Sequence, residues 1–203
     1  MLIVGSGPGG QRAAFQASKL KKKVAVIERQ PYIGGAGLHT GTLPSKTLRE
    51  AALFLAGFKQ RAIFGFQLAI GREVTLQELM HRKTDVIKKQ MEIIIDQFSR
   101  NNIEIIYGEA SFIDEHRLAV KGATAAEELY GEVIIIATGT RPLRPKEVPF
   151  DESHIYDTDT ILKIDNIPST ITIIGGGVIG CEYACVFASL GVKVDLVEKK
   201  SRL

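Results

Sequence analysis

The sequence contains neither a long apolar run nor a strong excess of one charge. Its longest apolar stretches, such as residues 133–137, fall far short of the roughly 20 residues that span a membrane, and the N-terminus lacks the charged start of a signal peptide. Lys and Arg number 26 against 23 Asp and Glu, and the net charge of +3 is too small to indicate a nucleic-acid surface or a membrane-binding patch. Hydrophobic residues make up 45% of the chain, which is enough for a packed core. We therefore predict a cytoplasmic protein that binds small molecules, with no nucleic-acid or membrane partner.

Cysteine and histidine are also scarce. The two cysteines, Cys181 and Cys185, lie four residues apart in an apolar helical pattern, which favours buried reduced thiols over a disulfide. The four histidines show no spacing typical of metal ligands, so we predict no metal site.

A glycine-rich segment occurs twice. Residues 5–10 and 175–180 both match G-x-G-x-x-G, and each follows a short apolar run and precedes a helical pattern. In both repeats a second predicted strand ends in an acidic residue at the same distance from the first glycine, Glu28 and Glu198. Strand, glycine turn, helix, strand and acid in this order form a dinucleotide-binding unit. The sequence predicts an α/β fold with two Rossmann-like, doubly wound units, the second truncated.

The chemistry of a dinucleotide explains these residue types. The first glycine makes a tight turn, the second lets the backbone approach a pyrophosphate, and the third lets the helix pack on the strand. The pyrophosphate then meets the N–H groups and the dipole of the helix N-terminus. The predicted cofactor-binding residues are Gly5, Gly7, Gly9, Gly10 and Glu28 in the first repeat and Gly175, Gly177, Gly180 and Glu198 in the second.

The acidic residues bear on the choice of nucleotide. A carboxylate accepts hydrogen bonds from ribose hydroxyls but repels a 2′-phosphate, which favours NAD. Lys199, Lys200 and Arg202 follow Glu198 and could offset that repulsion, although a solvated turn is the favoured explanation for them. The choice between NAD and NADP stays open, with a preference for NAD.

Helices and strands are also predicted between and around the repeats. We expect a helix over residues 44–58 and a longer helix after a capping box at Thr75. The apolar stripe of the longer helix is predicted to lie in the core: Leu79, Met80, Ile87, Met91, Ile94, Ile95 and Phe98. Short strands are predicted at residues 103–107, 110–113 and 117–120, and a buried strand at 132–137.

Prolines at 142, 145 and 149 mark a linker. We predict an FAD-binding domain over residues 1–148 and the start of an NAD(P)-binding domain over residues 149–203. Few residues follow Gly180 compared with the roughly 100 of a complete nucleotide domain, so we expect the chain to belong to a longer protein.

The segment Ile33-Gly34-Gly35-Ala36-Gly37-Leu38-His39-Thr40-Gly41-Thr42-Leu43-Pro44-Ser45-Lys46 resembles the class I pyridine nucleotide-disulphide oxidoreductases. The resemblance extends over residues 5–28, 137–139 and 175–198. It implies that the first repeat binds FAD and the second binds NAD(H) or NADP(H). It also implies a homodimer held by a C-terminal domain that contributes to the active site.

One departure from the family decides the expected chemistry. The two redox cysteines of its disulfide reductases are replaced by Gly37 and Thr42, which form no thiolate. Reduction of lipoamide or glutathione by the usual relay is therefore excluded. The chain most resembles those members without this disulfide that pass hydride between NADH or NADPH and NAD⁺ or NADP⁺ through the flavin. A flavin reductase with a quinone or another acceptor, and a nucleotide-binding module without turnover, remain alternatives.

The resemblance also implies individual roles. Lys46 would lie near the flavin N5 edge, and Glu182 would be its partner, so both are predicted to be catalytic. An exposed lysine at a helix start and a glutamate in a first helical turn are the plainer interpretations. The resemblance adds Arg29, Gly35, Thr42, Lys46, Thr138 and Gly139 to the cofactor-binding residues.

Overall fold

The computed structural model describes residues 1–63, 76–122, 126–164 and 166–201, without the side chains of 58–63 and 76–82. Its helices are α1 Pro8–Lys19, α2 Gly35–His39, α3 Thr42–Ile63, α4 Leu76–Arg100 and α5 Val178–Ser189, with a 3-10 turn at Ile161–Lys163. Its strands are β1 Leu2–Val4, β2 Val24–Glu28, β3 Ile103–Tyr107, β4 Glu109–Phe112, β5 Arg117–Lys121, β6 Ala126–Tyr130, β7 Ile134–Ile136, β8 Thr170–Ile174 and β9 Lys193–Val197.

Contacts divide the chain into two compact units. Unit 1 comprises residues 1–39 and 87–141, and unit 2 comprises residues 40–86 and 142–203. Each unit contains one of the two glycine-rich repeats. The predicted domain boundary between residues 148 and 149 stays a prediction.

Unit 1 is built on a parallel sheet with the strand order β3-β2-β1-β7. All five residues of β2 are buried, and Ile3 in β1 is fully buried. Helix α1 covers one face of the sheet with the small residues Ala14 and Ala17, which are also buried. Parallel neighbours need a crossover connection, which α1 provides between β1 and β2. On α4, Phe98 packs edge to face against Phe15 of α1. The predicted α/β arrangement of the first repeat is confirmed.

A second sheet of unit 1 is an antiparallel meander, β4-β5-β6. Leu118 and Val120 of β5 join Leu2, Ala25 and Ile27 in one buried cluster. Strand β6 was not predicted, because its sequence Ala-Glu-Glu-Leu-Tyr has little apolar alternation.

Two predictions of burial in unit 1 are wrong. Ile95 of α4 is 44% exposed, whereas Ile94 and Phe98 are buried, so only part of the stripe faces the core among its described side chains. The side chains of Leu79 and Met80 lie outside the described residues. The strand predicted at 132–137 is shorter, and Ile136 is 66% exposed because β7 is the outer strand of the described sheet. Thr75, the predicted cap of α4, lies outside the described residues.

Unit 2 contains the parallel pair β8-β9, connected through α5. Leu48 and Ala52 of α3 are buried in the same cluster as Val186 and Phe187 of α5. Helix α3 begins at Thr42 and ends at Ile63, so it is longer than predicted. This packing fixes the start of α3 beside the helix of the second repeat.

The cysteines are free, as predicted, but the prediction that both are buried is wrong. Cys181 is partly exposed and Cys185 is exposed. Helix α5 turns Tyr183 and Phe187 toward the core, and residue 185 lies on another face. Among the described residues no helix has the length and apolar character of a membrane span, and no group of three or more potential metal ligands occurs.

Candidate functional site

The first glycine of each repeat makes the turn that the motif requires. Gly5 has a φ of +107°, and its N–H donates to the Ile27 carbonyl at 2.8 Å. Gly175 has a φ of +108°, and its N–H donates to the Val197 carbonyl at 2.8 Å. Side chains rarely adopt this left-handed conformation. A Cβ on Gly5 would in addition overlap the carbonyl oxygen of Ala137.

The third glycine of each repeat allows helix and strand to meet closely. A Cβ on Gly10 would overlap the carbonyl oxygen of Gly5 and lie 3.0 Å from its carbonyl carbon. A Cβ on Gly180 would overlap the carbonyl oxygen of Gly175 and lie 3.1 Å from its carbonyl carbon. The two repeats are therefore alike in backbone geometry as well as in sequence.

The second glycine is the N-cap of the following helix in both repeats. Gly7 caps α1 with φ −67° and ψ 180°, and Gly177 caps α5 with φ −71° and ψ 178°. Within the described part of each unit, no side chain caps either helix and neither first turn contains an acidic residue. The N–H groups of these first turns thus need an outside acceptor, which suits the pyrophosphate of a dinucleotide.

Other predicted residues surround the first turn. In unit 1, a Cβ on Gly35 would lie 2.7 Å from the Cα of Gly7, so the segment 33–39 passes against the start of α1. Gly9 is exposed, and a Cβ there would meet no atom within 4 Å. Arg29, Thr138 and Gly139 are exposed residues of the same unit. Their contacts with a cofactor stay predictions.

Glu28 is buried at the end of β2 and is held by hydrogen bonds. Its Oε2 accepts the N–H of Ser6 at 3.0 Å and the hydroxyl of Ser6 at 2.6 Å, while its Oε1 accepts the N–H of Gln30 at 2.9 Å. The Ser6 hydroxyl also accepts the N–H of Gly34 at 3.0 Å. Sequence reasoning missed Ser6, which occupies an unspecified position of the motif.

Glu198 is less enclosed than Glu28. It accepts the N–H of Gly176 at 2.6 Å and that of Lys200 at 2.9 Å. The hydrogen bonds from the backbone of Lys200 and Gly176 lower the pKa of Glu198. The carboxylate is thus charged at neutral pH, which disfavours a 2′-phosphate. Lys199 and Lys200 are exposed, and Arg202 lies outside the described residues.

The two predicted catalytic residues both belong to unit 2. Lys46 is exposed in the first turns of α3, and Thr42 is exposed at its first residue. Oε1 of Glu182 accepts a hydrogen bond from the hydroxyl of Ser45 at 3.4 Å. No ion pair joins Lys46 to Glu182, both of which are described. Their catalytic roles stay predictions.

A buried phenol lies next to Glu182 on α5. Burial raises the pKa of Tyr183, and the carboxylates of Glu182 and Asp159 raise it further. Tyr183 is therefore neutral at physiological pH. Glu182 lies in the second turn of α5, not in the first. The helix dipole, which acts mainly on the first turn, is therefore a weaker explanation for a glutamate at this position.

Comparisons with known proteins agree with this geometry. Soluble pyridine nucleotide transhydrogenases from Mycobacterium bovis and Colwellia psychrerythraea are 44% and 40% identical to the chain over its whole length. The chain spans 44% of the length of these relatives.

Two solved structures are similar as well. The HOCl-induced flavoprotein disulfide reductase RclA from Escherichia coli has a TM-score of 0.81 at 28% identity, covering 98% of this chain and 42% of that protein. LpdA from Mycobacterium tuberculosis has a TM-score of 0.87 at 25% identity, covering 99% and 45%.

The model of one protein family matches the chain over its whole length. The model of the pyridine nucleotide-disulphide oxidoreductases matches residues 1–203. This match confirms the predicted fold class and the predicted cofactor classes, FAD and NAD(P)(H). The chain therefore belongs to the pyridine nucleotide-disulphide oxidoreductase family.

Proposed function

We propose that the first repeat binds FAD, that the second binds NAD(H) or NADP(H), and that the protein transfers hydride from one nicotinamide nucleotide to another through the flavin. One observation carries this proposal: two dinucleotide turns of matching geometry occur in a chain whose redox-cysteine positions hold Gly37 and Thr42. Without that disulfide, a second nicotinamide is the simplest acceptor. The names of the relatives from Mycobacterium bovis and Colwellia psychrerythraea support the same activity.

The chain's own residues provide the binding sites. The N-terminus of α1 would hold the pyrophosphate of FAD, and Glu28 would accept a hydrogen bond from its adenosine ribose. The N-terminus of α5 and Glu198 would hold the nicotinamide nucleotide in the same way. FAD, when bound, supplies the capacity to accept and release hydride.

Lys46 and Glu182 are the proposed catalytic pair. The exposed ammonium of Lys46 would stabilise negative charge on the flavin, and Glu182 would orient that ammonium. Thr42 would line the flavin with an inert hydroxyl. The Glu182 carboxylate lies 3.4 Å from the Ser45 hydroxyl in the first turn of α3, and this proximity supports the pairing with Lys46.

The test uses the protein expressed from its complete reading frame and purified with FAD. NADPH-dependent reduction of thio-NAD is measured, with lipoamide and a quinone as competing acceptors under identical conditions. We expect rapid thio-NAD reduction and no lipoamide turnover. Lys46→Ala is expected to slow the reaction when the rate is expressed per bound FAD.

Other results would select the alternatives. Turnover of the quinone without thio-NAD reduction would replace transhydrogenation by a flavin reductase activity. Bound FAD that stays oxidised with NADH and NADPH would instead favour a binding module. We also propose a cytoplasmic homodimer, held by a C-terminal domain that completes the active site. Residues 1–203 alone are then expected to be inactive or nearly so, and sustained transhydrogenation by them would contradict this.

A further inference from the structure

The two repeats differ at the residue after the first glycine. This residue is Ser6 in the first repeat and Gly176 in the second. Both donate a backbone N–H to the acidic residue at the end of the next strand, at 3.0 Å and 2.6 Å. Only Ser6 adds a hydroxyl, which is fully buried and donates to Glu28 at 2.6 Å.

The hydroxyl of Ser6 fixes which atoms of Glu28 are free. A carboxylate has about four acceptor positions, two on each oxygen. Both positions of Oε2 are used by Ser6, whereas within the described part of the chain Oε1 receives only the N–H of Gln30. The remaining position on Oε1 is therefore the one available to a ribose hydroxyl.

The same hydroxyl connects Glu28 to the segment before α2. Its only proton is donated to Glu28, so it acts as an acceptor toward the N–H of Gly34, at 3.0 Å. Gly34 has a φ of +114°, a backbone conformation that favours glycine, and this hydrogen bond ties it to Ser6. A hydrogen bond received from Gly34 strengthens the one that Ser6 donates.

We propose that Ser6 is a positioning residue that holds Glu28 in the orientation that accepts an adenosine ribose hydroxyl, and that it thereby makes the first repeat a site for a retained dinucleotide. The second repeat has Gly176 at this place, so its acid is more exposed and receives no side-chain hydroxyl from this position, which suits a dinucleotide that exchanges at each turnover. This inference rests on the proposal that the first repeat binds FAD.

The test measures FAD binding to the complete protein after its flavin has been removed. Binding is monitored through the quenching of flavin fluorescence. Wild type, Ser6→Ala, Glu28→Gln and the double variant are titrated with FAD and with an analogue that has 2′,3′-dideoxyribose in its adenosine half. We expect Ser6→Ala to weaken FAD binding roughly 10- to 100-fold, the range for hydrogen bonds to a charged group. The dideoxy analogue is expected to bind wild type and Ser6→Ala with the same affinity. The double variant is expected to bind FAD no more weakly than Glu28→Gln.

The analogue separates positioning from a general effect on structure. If Ser6→Ala weakens FAD and the dideoxy analogue equally, Ser6 does not act through the ribose and the inference is overturned. If wild type binds no FAD, the proposed function fails instead. Should Ser6→Ala not fold, as judged by circular dichroism, Ser6→Cys takes its place with the same expectations, because a thiol is a weaker donor of similar shape.

Discussion

Gly10→Ala is predicted to destabilise the apoprotein, whereas the neighbouring substitution Gly9→Ala is predicted to stabilise it. A Cβ at position 10 would overlap the carbonyl oxygen of Gly5. That carbonyl has little room to move, because the N–H of Gly5 is bonded to Ile27 and the space beside its Cα is closed by Ala137. A Cβ at position 9 would meet nothing within 4 Å.

The magnitudes follow from two opposing contributions. Overpacking a rigid site costs about 3 kcal/mol at the upper end of the usual range. Replacing glycine by alanine in a helix contributes about 1 kcal/mol of stability. The free energy of unfolding of Gly10→Ala should fall by about 2 kcal/mol, and that of Gly9→Ala should rise by about 0.5–1 kcal/mol. For a chain of this length, about 2 kcal/mol corresponds to a Tm lower by about 4–8 °C.

Thermal unfolding of the flavin-free protein, followed by circular dichroism at 222 nm, measures both variants. Absence of the flavin matters because a bound ligand would add its own contribution to Tm. Equal Tm values for Gly9→Ala and Gly10→Ala would refute the argument that close contact, and not glycine as such, is required at position 10.

Three further predictions concern unit 2. Gly177→Ala should change the free energy of unfolding by less than about 1 kcal/mol. It should nevertheless raise the Kd for NADH at least about tenfold, because the new side chain would face the pyrophosphate. Calorimetric titration measures the Kd, and an unchanged affinity would contradict the assigned site. Leu48→Ala should lower the free energy of unfolding, measured by chemical denaturation, by about 2–5 kcal/mol. Leu53→Ala on the same helix, at a position 47% exposed, should lower it by under about 0.5 kcal/mol. Similar losses for the two variants would disprove the packing of α3 on α5. Burial alone would raise the pKa of Asp157, but hydrogen bonds from Arg144 and Thr160 outweigh it and lower the pKa below its ordinary value of 3.8. The stability that Asp157 contributes is therefore complete above pH 3.8 and is lost as the pH falls through the lowered pKa. Below pH 3.8 the Tm of Asp157→Asn should thus fall less steeply with pH than the Tm of wild type. Parallel curves of Tm against pH would exclude this role of Asp157.

The sequence predicted most accurately those features that depend on neighbouring residues. Strand β2 ends at Glu28 as predicted, and both glycine turns have the predicted strand on one side and helix on the other. Alternation of apolar residues and the conformational freedom of glycine act over a few positions, so a single sequence displays them.

Side-chain burial was predicted less well. Ile95 and Ile136 are apolar residues in regular elements, yet both are largely exposed, and Cys185 is exposed on an apolar helix. Which face of an element is covered depends on partners far away in sequence. Periodicity gives the candidates for the core but does not decide between them.

The sequence by itself determined the two dinucleotide-binding repeats, their acidic residues and the absence of a redox cysteine pair, because each of these is a matter of residue type and short spacing. Only the tertiary structure decided that Ser6 holds Glu28, that Ser45 contacts Glu182 and that α3 packs on α5. The two hydrogen bonds join residues that are 22 and 137 positions apart in the sequence. Only the folding of the chain brings such distant residues together.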